Sequence, residues 1–322
     1  MGEKSHAVDV SVILTSWNGR EVLRSALLSV RENTLGLTYE IIVVDDASSD
    51  GSAAMIKAEF PDIDLIVNLQ NVGFARANNL GARRARGRYV FLLNNDTILL
   101  NNAIGILAGY LDRNPDAGAC GGLLLNQDLS TQLSYGNYPS FFLGLIDAFF
   151  LNDLLPGLNL PKRGIAPRSP IRLVADVDYI SGADIMIRAS LINSIGLFDE
   201  YFREYCEEVD FCFRARHTAH VKVAFIPEAR IIHLGGLSYG LLKEGYIRKQ
   251  FASYHKFLTK HHGKVYSFFT RLLYGWHYAI KFLVRTVRAL AAVGEERMRR
   301  VQSARMAWYM TRYSLAPEHD SQ

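Results

Sequence analysis

Cysteine is scarce in this chain: Cys120, Cys206 and Cys212 are the only three in 322 residues. They are too few and too odd in number for a disulfide framework and lack the paired spacing of a zinc site, so a reduced setting is expected. Proline is also sparse, at nine residues, and with 49% hydrophobic residues the composition excludes collagen-like and disordered readings. Long apolar runs are missing. The strongest, Phe141 to Leu155, is too short and too interrupted to span a bilayer. The opening MGEKSHAVDV has no apolar core of a secretory signal, so a cytoplasmic protein is expected. No G-x-G-x-x-G follows the first strand, where Thr15-Ser16-Trp17-Asn18-Gly19 stands instead, and this excludes a Rossmann-type dehydrogenase.

The charge that is present is unevenly placed. Residues 1–239 carry 21 Lys+Arg against 27 Asp+Glu, whereas residues 240–322 carry 15 against 5. The last quarter is therefore the candidate for an anionic partner. At 100° per residue Lys281, Arg285 and Arg288 share one helix face, with Leu272, Trp276, Ala279, Leu283 and Leu290 opposite. Such a helix either packs on the rest of the protein with its charged face in water or lies on an anionic membrane surface. The basic run continuing to Arg312 favours the membrane over residues 265–312. No nucleic-acid recognition module accompanies these charges.

The first 125 residues alternate β-branched runs with helical stretches, the pattern of an α/β domain with a parallel sheet. Strands are expected at Val10–Thr15, Glu40–Val44, Ile63–Val67, Tyr89–Leu93 and Ala119–Leu124. Asn18 is read as the N-cap of the first helix, with Glu21 completing a capping box. Residues 126–175 read as a loop or insertion. Beyond them come a strand at Ile185–Ile187, a helix over roughly 205–216, and strands at Val221–Ile226 and Ala229–Ile232.

Three clusters carry possible chemistry. The apolar strand ending in Asn94-Asn95-Asp96-Thr97 delivers one carboxylate to the carboxyl edge of a sheet, where oxygen ligands suit Mg2+ or Mn2+; a strand-end Asp is also a common turn former. Glu207, Glu208 and Asp210 open a helix, where the macrodipole alone would favour acids, yet three exceed what a cap needs. One of them could act as a general base. His233 ends an apolar strand beside Gly235-Gly236 and is a candidate metal ligand.

Taken in order, Thr15-Ser16-Trp17-Asn18, Val43 to Ser52, Asn71-Val72-Gly73-Phe74, Leu93 to Thr97, Ser181-Gly182-Ala183, Gly196 to Glu200 and Glu207 to Asp210 resemble the motifs of family 2 glycosyltransferases, nearest to the rhamnosyltransferase-like branch. The resemblance covers about residues 9–236. It implies a GT-A fold: a domain of residues 1–238 with a nucleotide-sugar half (9–125), the insertion (126–175) and an acceptor half (176–238), followed by a helical extension (239–322). It also implies Thr15, Trp17, Asn18, Asp45, Asp46, Asn71, Gly73, Asn94 and Asn95 around the nucleotide sugar. Asp96 is the surviving acid of the DXD metal motif, written here Asn94-Asn95-Asp96, and His233 stands where relatives supply a further metal ligand. The base is Glu208 or its neighbour Glu207, while Gly182, Asp210 and Arg214 orient the base or the acceptor, an ion pair on the helix being the alternative for the last two. The expected activity is inverting, metal-dependent transfer, for which rhamnose from dTDP-rhamnose and a lipid-linked or polysaccharide acceptor are the leading pair. UDP-hexose, N-acetylhexosamine or galactofuranose donors, or a scaffold that only binds nucleotide sugars, are the alternatives.

Overall fold

The computed structural model describes residues 8–158, 160–161, 173–235 and 244–316. Its strands are β1 (Val10–Ser16), β2 (Tyr39–Asp45), β3 (Asp64–Val67), β4 (Tyr89–Asn94), β5 (Thr97–Leu99), β6 (Ala117–Leu125), β7 (Tyr135–Gly136), β8 (Ala175–Asp176), β9 (Tyr179–Ile180), β10 (Asp184–Arg188) and β11 (Lys222–His233). Its helices are α1 (Arg20–Asn33), α2 (Ser52–Glu59), α3 (Phe74–Ala82), α4 (Ala103–Arg113), α5 (Phe141–Ala148), α6 (Leu151–Leu154), α7 (Ala189–Ile195), α8 (Glu207–His217), α9 (Glu244–His262), α10 (Lys264–Leu290) and α11 (Gly294–Leu315). The described residues divide into two compact units. One takes in residues 8–136, 173–203 and 207–235, and the other residues 137–158, 160–161, 204–206 and 244–316. Residues 137–158, read from sequence as part of an insertion, thus cluster with the C-terminal helices.

The first unit is built on a sheet in the order β3-β2-β1-β4-β10-β6-β11-β5, with β8 paired to β11. Strands β3, β2, β1 and β4 are parallel, and β10 runs antiparallel between β4 and β6. The β-branched runs account for this: Val12, Ile13, Leu14, Ile42, Val43 and Val44 are all fully buried, as strands covered on both faces require. The parallel register brings the carboxyl ends of β1, β2 and β4 to one edge. Because β10 is antiparallel, the Ser181-Gly182-Ala183 turn before it reaches the same edge, where the Ala183 carbonyl accepts the Asn94 N–H at 2.9 Å.

The expected strands of the first 125 residues lie within two residues of their observed bounds. Two local expectations need correction. Asn18 is not an N-cap: it is left-handed, with φ of 51°, and its side chain holds the neighbouring loop instead. The first helical N–H, from Arg20, is satisfied by Asp50 Oδ2 at 2.8 Å, while Asp50 Oδ1 accepts the Ser52 N–H at 3.0 Å, so one carboxylate serves the starts of α1 and α2. Burial works against this carboxylate, but the Ser52 hydroxyl and these two N–H groups hold it below its ordinary range. The two final strands are one. β11 is continuous but shifts register on β6 between Ile226 and Arg230, a bulge of three extra residues around Pro227.

Asp184 opens β10 fully buried. Its Oδ2 accepts the Gly122 N–H at 2.6 Å, Oδ1 has no partner, and burial pushes the carboxyl well above its ordinary value near 3.8. The folded protein therefore keeps a proton here that the unfolded chain releases above that value, which costs about 1.4 kcal/mol of stability per pH unit as pH rises toward the folded pKa. Asp184→Asn is expected to raise the melting temperature at neutral pH and to flatten its fall with rising pH. Thermal melts across a mildly acidic to neutral series check this.

In the second unit α5 packs on α10: the Phe141 N–H donates to the Tyr266 hydroxyl at 2.8 Å, and His277 Nδ1 lies 2.6 Å from the Asp147 carbonyl. Ile247, Phe251 and Tyr313 join α9 to α11. Among the described residues no helix is long and apolar enough to cross a membrane. The orientation of α10 departs from a packed amphipathic helix. Leu272, Trp276, Leu283 and Leu290, the side expected to be buried in that case, are 43 to 73% exposed. The side buried against the unit consists of Ser267, Thr270, Tyr274, His277 and Ala289.

His255 on α9 is buried with Nε2 unpartnered. Burial first, and then the Arg271 charge, push its pKa down to about 3, with a hydrogen bond to the Ser314 backbone carbonyl opposing. The unfolded chain takes up a proton below about 6.5 and the folded one does not. Stability is therefore lost as pH falls from about 6.5 toward 3, by about 1.4 kcal/mol per pH unit. His255→Leu is expected to make this acid-side slope in melting temperature shallower.

Candidate active site

Polar residues concentrate where apolar strands end at the shared sheet edge. Register sets Thr15 between Val44 and Asn94, and Ser16 opposite Asp45. Asp45 is 1% exposed; its Oδ1 accepts the Ser48 N–H at 2.7 Å, and its buried Oδ2 has no partner. An unpaired buried carboxylate oxygen is costly, and a ligand donor at this edge would relieve it. Neighbouring Asp46 is saturated: Oδ1 accepts from Asn68 Nδ2 at 2.8 Å and the Val72 N–H at 2.9 Å, and Oδ2 from the Gly73 N–H at 3.0 Å. It holds the loop that carries exposed Asn71 and buried Gly73. Gly73 has φ of +88°, and a Cβ there would lie 2.8 Å from Arg203 Cγ, so only glycine permits this approach. Asn18 accepts from the Ser49 N–H at 2.8 Å, and its own N–H donates to Ser48 Oγ at 3.0 Å, fastening the Asp45–Asp50 loop to the end of β1. Trp17 beside it is 60% exposed, a flat surface open to a ring. Asn95 Nδ2 donates to Ser16 Oγ at 2.9 Å.

Asp96 and His233 come together although they are far apart in sequence. β11 ends beside β5, with His233 in register with Thr97, and the Leu234 N–H donates to the Asp96 carbonyl at 2.8 Å. Asp96 Oδ1 lies 3.3 Å from His233 Nε2, and Asn94 Nδ2 lies 3.3 Å from the same nitrogen. Gln132 fixes the ring. Its Nε2 donates to Asn126 Oδ1 at 2.7 Å and to the His233 carbonyl at 2.6 Å, which turns its Oε1 to His233 Nδ1 at 3.0 Å. An amide oxygen only accepts, so in the neutral ring the proton sits on Nδ1 and the Nε2 lone pair faces Asp96. Nothing in the sequence marked Gln132; it lies in the irregular stretch after β6. One carboxylate and one imidazole nitrogen that carries no proton fit a divalent cation whose remaining ligands come from a substrate diphosphate or water. Among the described residues no third His, Cys, Asp or Glu joins them.

Glu207 and Glu208 begin α8 after Tyr205 and Cys206, two consecutive left-handed residues with φ of 66° and 68°. Positions of this kind cost energy and persist where the surroundings impose them. Glu207 is buried. Glu208 lies against Gly182, its Cβ, Cγ and Cδ 3.6 to 3.8 Å from where a Gly182 Cβ would be. Gly182 adjoins Ala183, whose carbonyl holds Asn94, so a connected path links Glu208 to the Asp96–His233 pair. Asp210 and Arg214 form an ion pair at 2.8 Å one helical turn apart. Arg214 also donates to the Ile195 carbonyl at 2.6 Å, the Gly196 carbonyl at 3.2 Å and the Leu197 carbonyl. That is the geometry of a brace between α8 and the turn after α7.

Comparison with known proteins gives this edge a context. Residues 11–157 match the model of Glycosyl transferase family 2. The chain is 24% identical over 243 residues to an N-acetylglucosaminyl-diphospho-decaprenol L-rhamnosyltransferase of Mycobacterium tuberculosis, covering 69% of this chain and 75% of that protein. It is 31% identical over 107 residues to the UDP-Glc:alpha-D-GlcNAc-diphosphoundecaprenol beta-1,3-glucosyltransferase WfgD of Escherichia coli, covering 33% of this chain and 42% of that one. Among solved structures, GalNAc-T7 with UDP, GalNAc and Mn2+ superposes with a TM-score of 0.54 at 17% identity, over 70% of this chain and 43% of that chain. The chain thus spans less than half of that solved chain, and the likeness concerns the fold.

Proposed function

From the match of residues 11–157 to Glycosyl transferase family 2 and the shared fold, we propose that this chain is a family 2 glycosyltransferase on a GT-A fold that transfers rhamnose from dTDP-rhamnose to a lipid-linked or polysaccharide acceptor in cell-envelope glycan synthesis. The observation that carries the reading is the facing pair of Asp96 and His233, its lone pair oriented by Gln132, at the sheet edge that also holds the unpartnered Asp45 oxygen. Asp45, Thr15 and Trp17 hold the nucleoside, and Asn18, Asp46 and Asn71 shape the loops around it. Gly73 lets the chain approach the diphosphate, with Asn94 and Asn95 beside it. Asp96 and His233 would hold Mg2+ or Mn2+, which would supply Lewis-acid stabilisation to a diphosphate leaving group.

Glu208 takes the proton of the acceptor hydroxyl while its oxygen forms a bond to the anomeric carbon. The bond to the diphosphate oxygen breaks on the opposite face, and its electron pair leaves with the nucleotide. One displacement inverts the anomeric centre. No protonated side chain is needed for a leaving group that is already a stable anion. Glu207 stays buried beside the base, and the Asp210–Arg214 brace fixes the helix that carries both. Residues 265–312 meet an anionic membrane surface, where lipid-linked acceptors reside.

The donor is tested by nucleotide release from a panel of dTDP-, UDP- and GDP-sugars with Mg2+, Mn2+ or chelator. Metal-dependent release from dTDP-rhamnose alone supports the proposal. Release from UDP-glucose, the donor in the name of the Escherichia coli relative, would replace the donor assignment while keeping the site. Release from none, with or without an isolated membrane fraction, would leave a binding scaffold.

A further inference from the structure

An amphipathic helix in a water-soluble unit ordinarily turns its apolar side inward. Helix α10 does the reverse. Phe268, Leu272, Trp276, Leu283, Val287 and Leu290 are 43 to 73% exposed. At 100° per residue they fall within about 100° of arc, and with Val265 the stripe runs about 38 Å at 1.5 Å per residue. Patches of this kind on a folded protein mark a surface that something covers.

The polar side of the same hairpin carries a second feature. Arg285, Arg288, Arg300 and Ser303 line a cleft of about 360 Å3 between α10 and α11. Arg285 Nη1 donates to the Ser303 carbonyl at 3.0 Å, and Arg300 Nη1 donates to the Arg288 carbonyl at 2.9 Å. Glu296 accepts from Arg300 Nη2 at 2.5 Å. A guanidinium has five N–H donors, so these bonds leave donors for a phosphate. Val284, Val287 and Leu290 are exposed in the same turns of α10 as Arg285 and Arg288. At 100° per residue Val284 stands between the stripe and these arginines, which face the opposite side of α10.

Charge decides between occupants. A second copy of the chain would bring another segment with 15 Lys+Arg against 5 Asp+Glu onto the first, and like charges would oppose that contact. An anionic phospholipid offers acyl chains to the stripe and phosphates to the arginines. We propose that α10 lies along an anionic bilayer surface with its stripe in the acyl boundary and that the Arg285–Arg288–Arg300 cleft seats a phospholipid phosphate. This gives residues to the membrane contact of the function proposed above, but it stands or fails apart from the donor chemistry.

The test is flotation of the full chain with vesicles of phosphatidylcholine alone or mixed with phosphatidylglycerol, with donor hydrolysis and melting temperature as controls. The wild type is expected to float with the mixed vesicles only, and brominated acyl chains are expected to quench Trp276 in a variant carrying Trp17→Phe and Trp308→Phe. Leu283→Asp with Leu290→Asp, both on the exposed stripe, should abolish flotation without changing melting or hydrolysis. Arg288→Gln, which removes a charge but no apolar contact, should weaken vesicle binding about fivefold. Equal flotation by the Leu283→Asp, Leu290→Asp variant would overturn the proposal. So would a wild type that floats with neither vesicle, or one that forms a dimer which Leu283→Asp dissolves.

Discussion

Glu208→Gln is expected to lower sugar transfer by about 10²- to 10⁴-fold while leaving donor affinity within about twofold, the signature of a lost general base. The amide keeps the size and shape of the side chain, so its contact with Gly182 and the start of α8 are preserved. What it loses is the ability to accept a proton, and the acceptor hydroxyl must then attack with its proton still attached. Steady-state kcat together with the equilibrium dissociation constant of a donor analogue separates the two effects. Glu207→Gln makes the comparison sharp. With Glu208 as the base, its effect on kcat is smaller than that of Glu208→Gln, and the reverse ranking would move the base one residue toward the N-terminus.

Asp96→Ala is the second large effect. With one carboxylate and one imidazole in the pair, removal of the carboxylate leaves a single neutral ligand. Metal-stimulated turnover should fall on the order of a thousandfold, the few kcal/mol that a Lewis acid contributes to a departing diphosphate. Titration with Mg2+ or Mn2+ would then no longer restore wild-type rates, whereas chelator and the substitution together should lower the rate no further than either alone. Additive losses would mean that the cation acts elsewhere and that Asp96 serves another purpose. Folding is not at risk, because the carboxylate is partly exposed and its main-chain carbonyl, which receives the Leu234 N–H, is unchanged by the substitution.

The legible parts of this protein are those where one local rule dominates. β1 and β2 could be read because β-branched residues filled both faces, β4 because its apolar run was unbroken, and the acids of α8 because three in one first turn exceed what capping requires. The ends of elements were harder. Asn18 has the residue type of a cap, yet the capping oxygen comes from Asp50, which is distant along the chain and close only once β1 and β2 pair. The Asp96–His233 pair was anticipated residue by residue through family motifs, but Gln132, which orients the imidazole, has no local pattern and becomes visible only when β11 is laid beside β6. Helix α10 shows the opposite failure. Its periodicity was plain, but periodicity identifies two faces without saying which one is turned inward, and here the small and polar side was packed against its neighbours.

The bulge in β11 makes the Asp96–His233 pair sensitive to insertions and deletions as well as to substitutions. Side chains alternate along a strand, so a change of one residue at Pro227 or Glu228 would move Ile231, Ile232 and His233 by one place against β5 and β6. His233 would then turn to the opposite side of the sheet, and Leu234 after a deletion, or Ile232 after an insertion, would take its place toward Asp96. A single-codon deletion distant from every proposed ligand could in this way silence the enzyme while leaving all of them in the gene, whereas a change of two residues would restore the alternation.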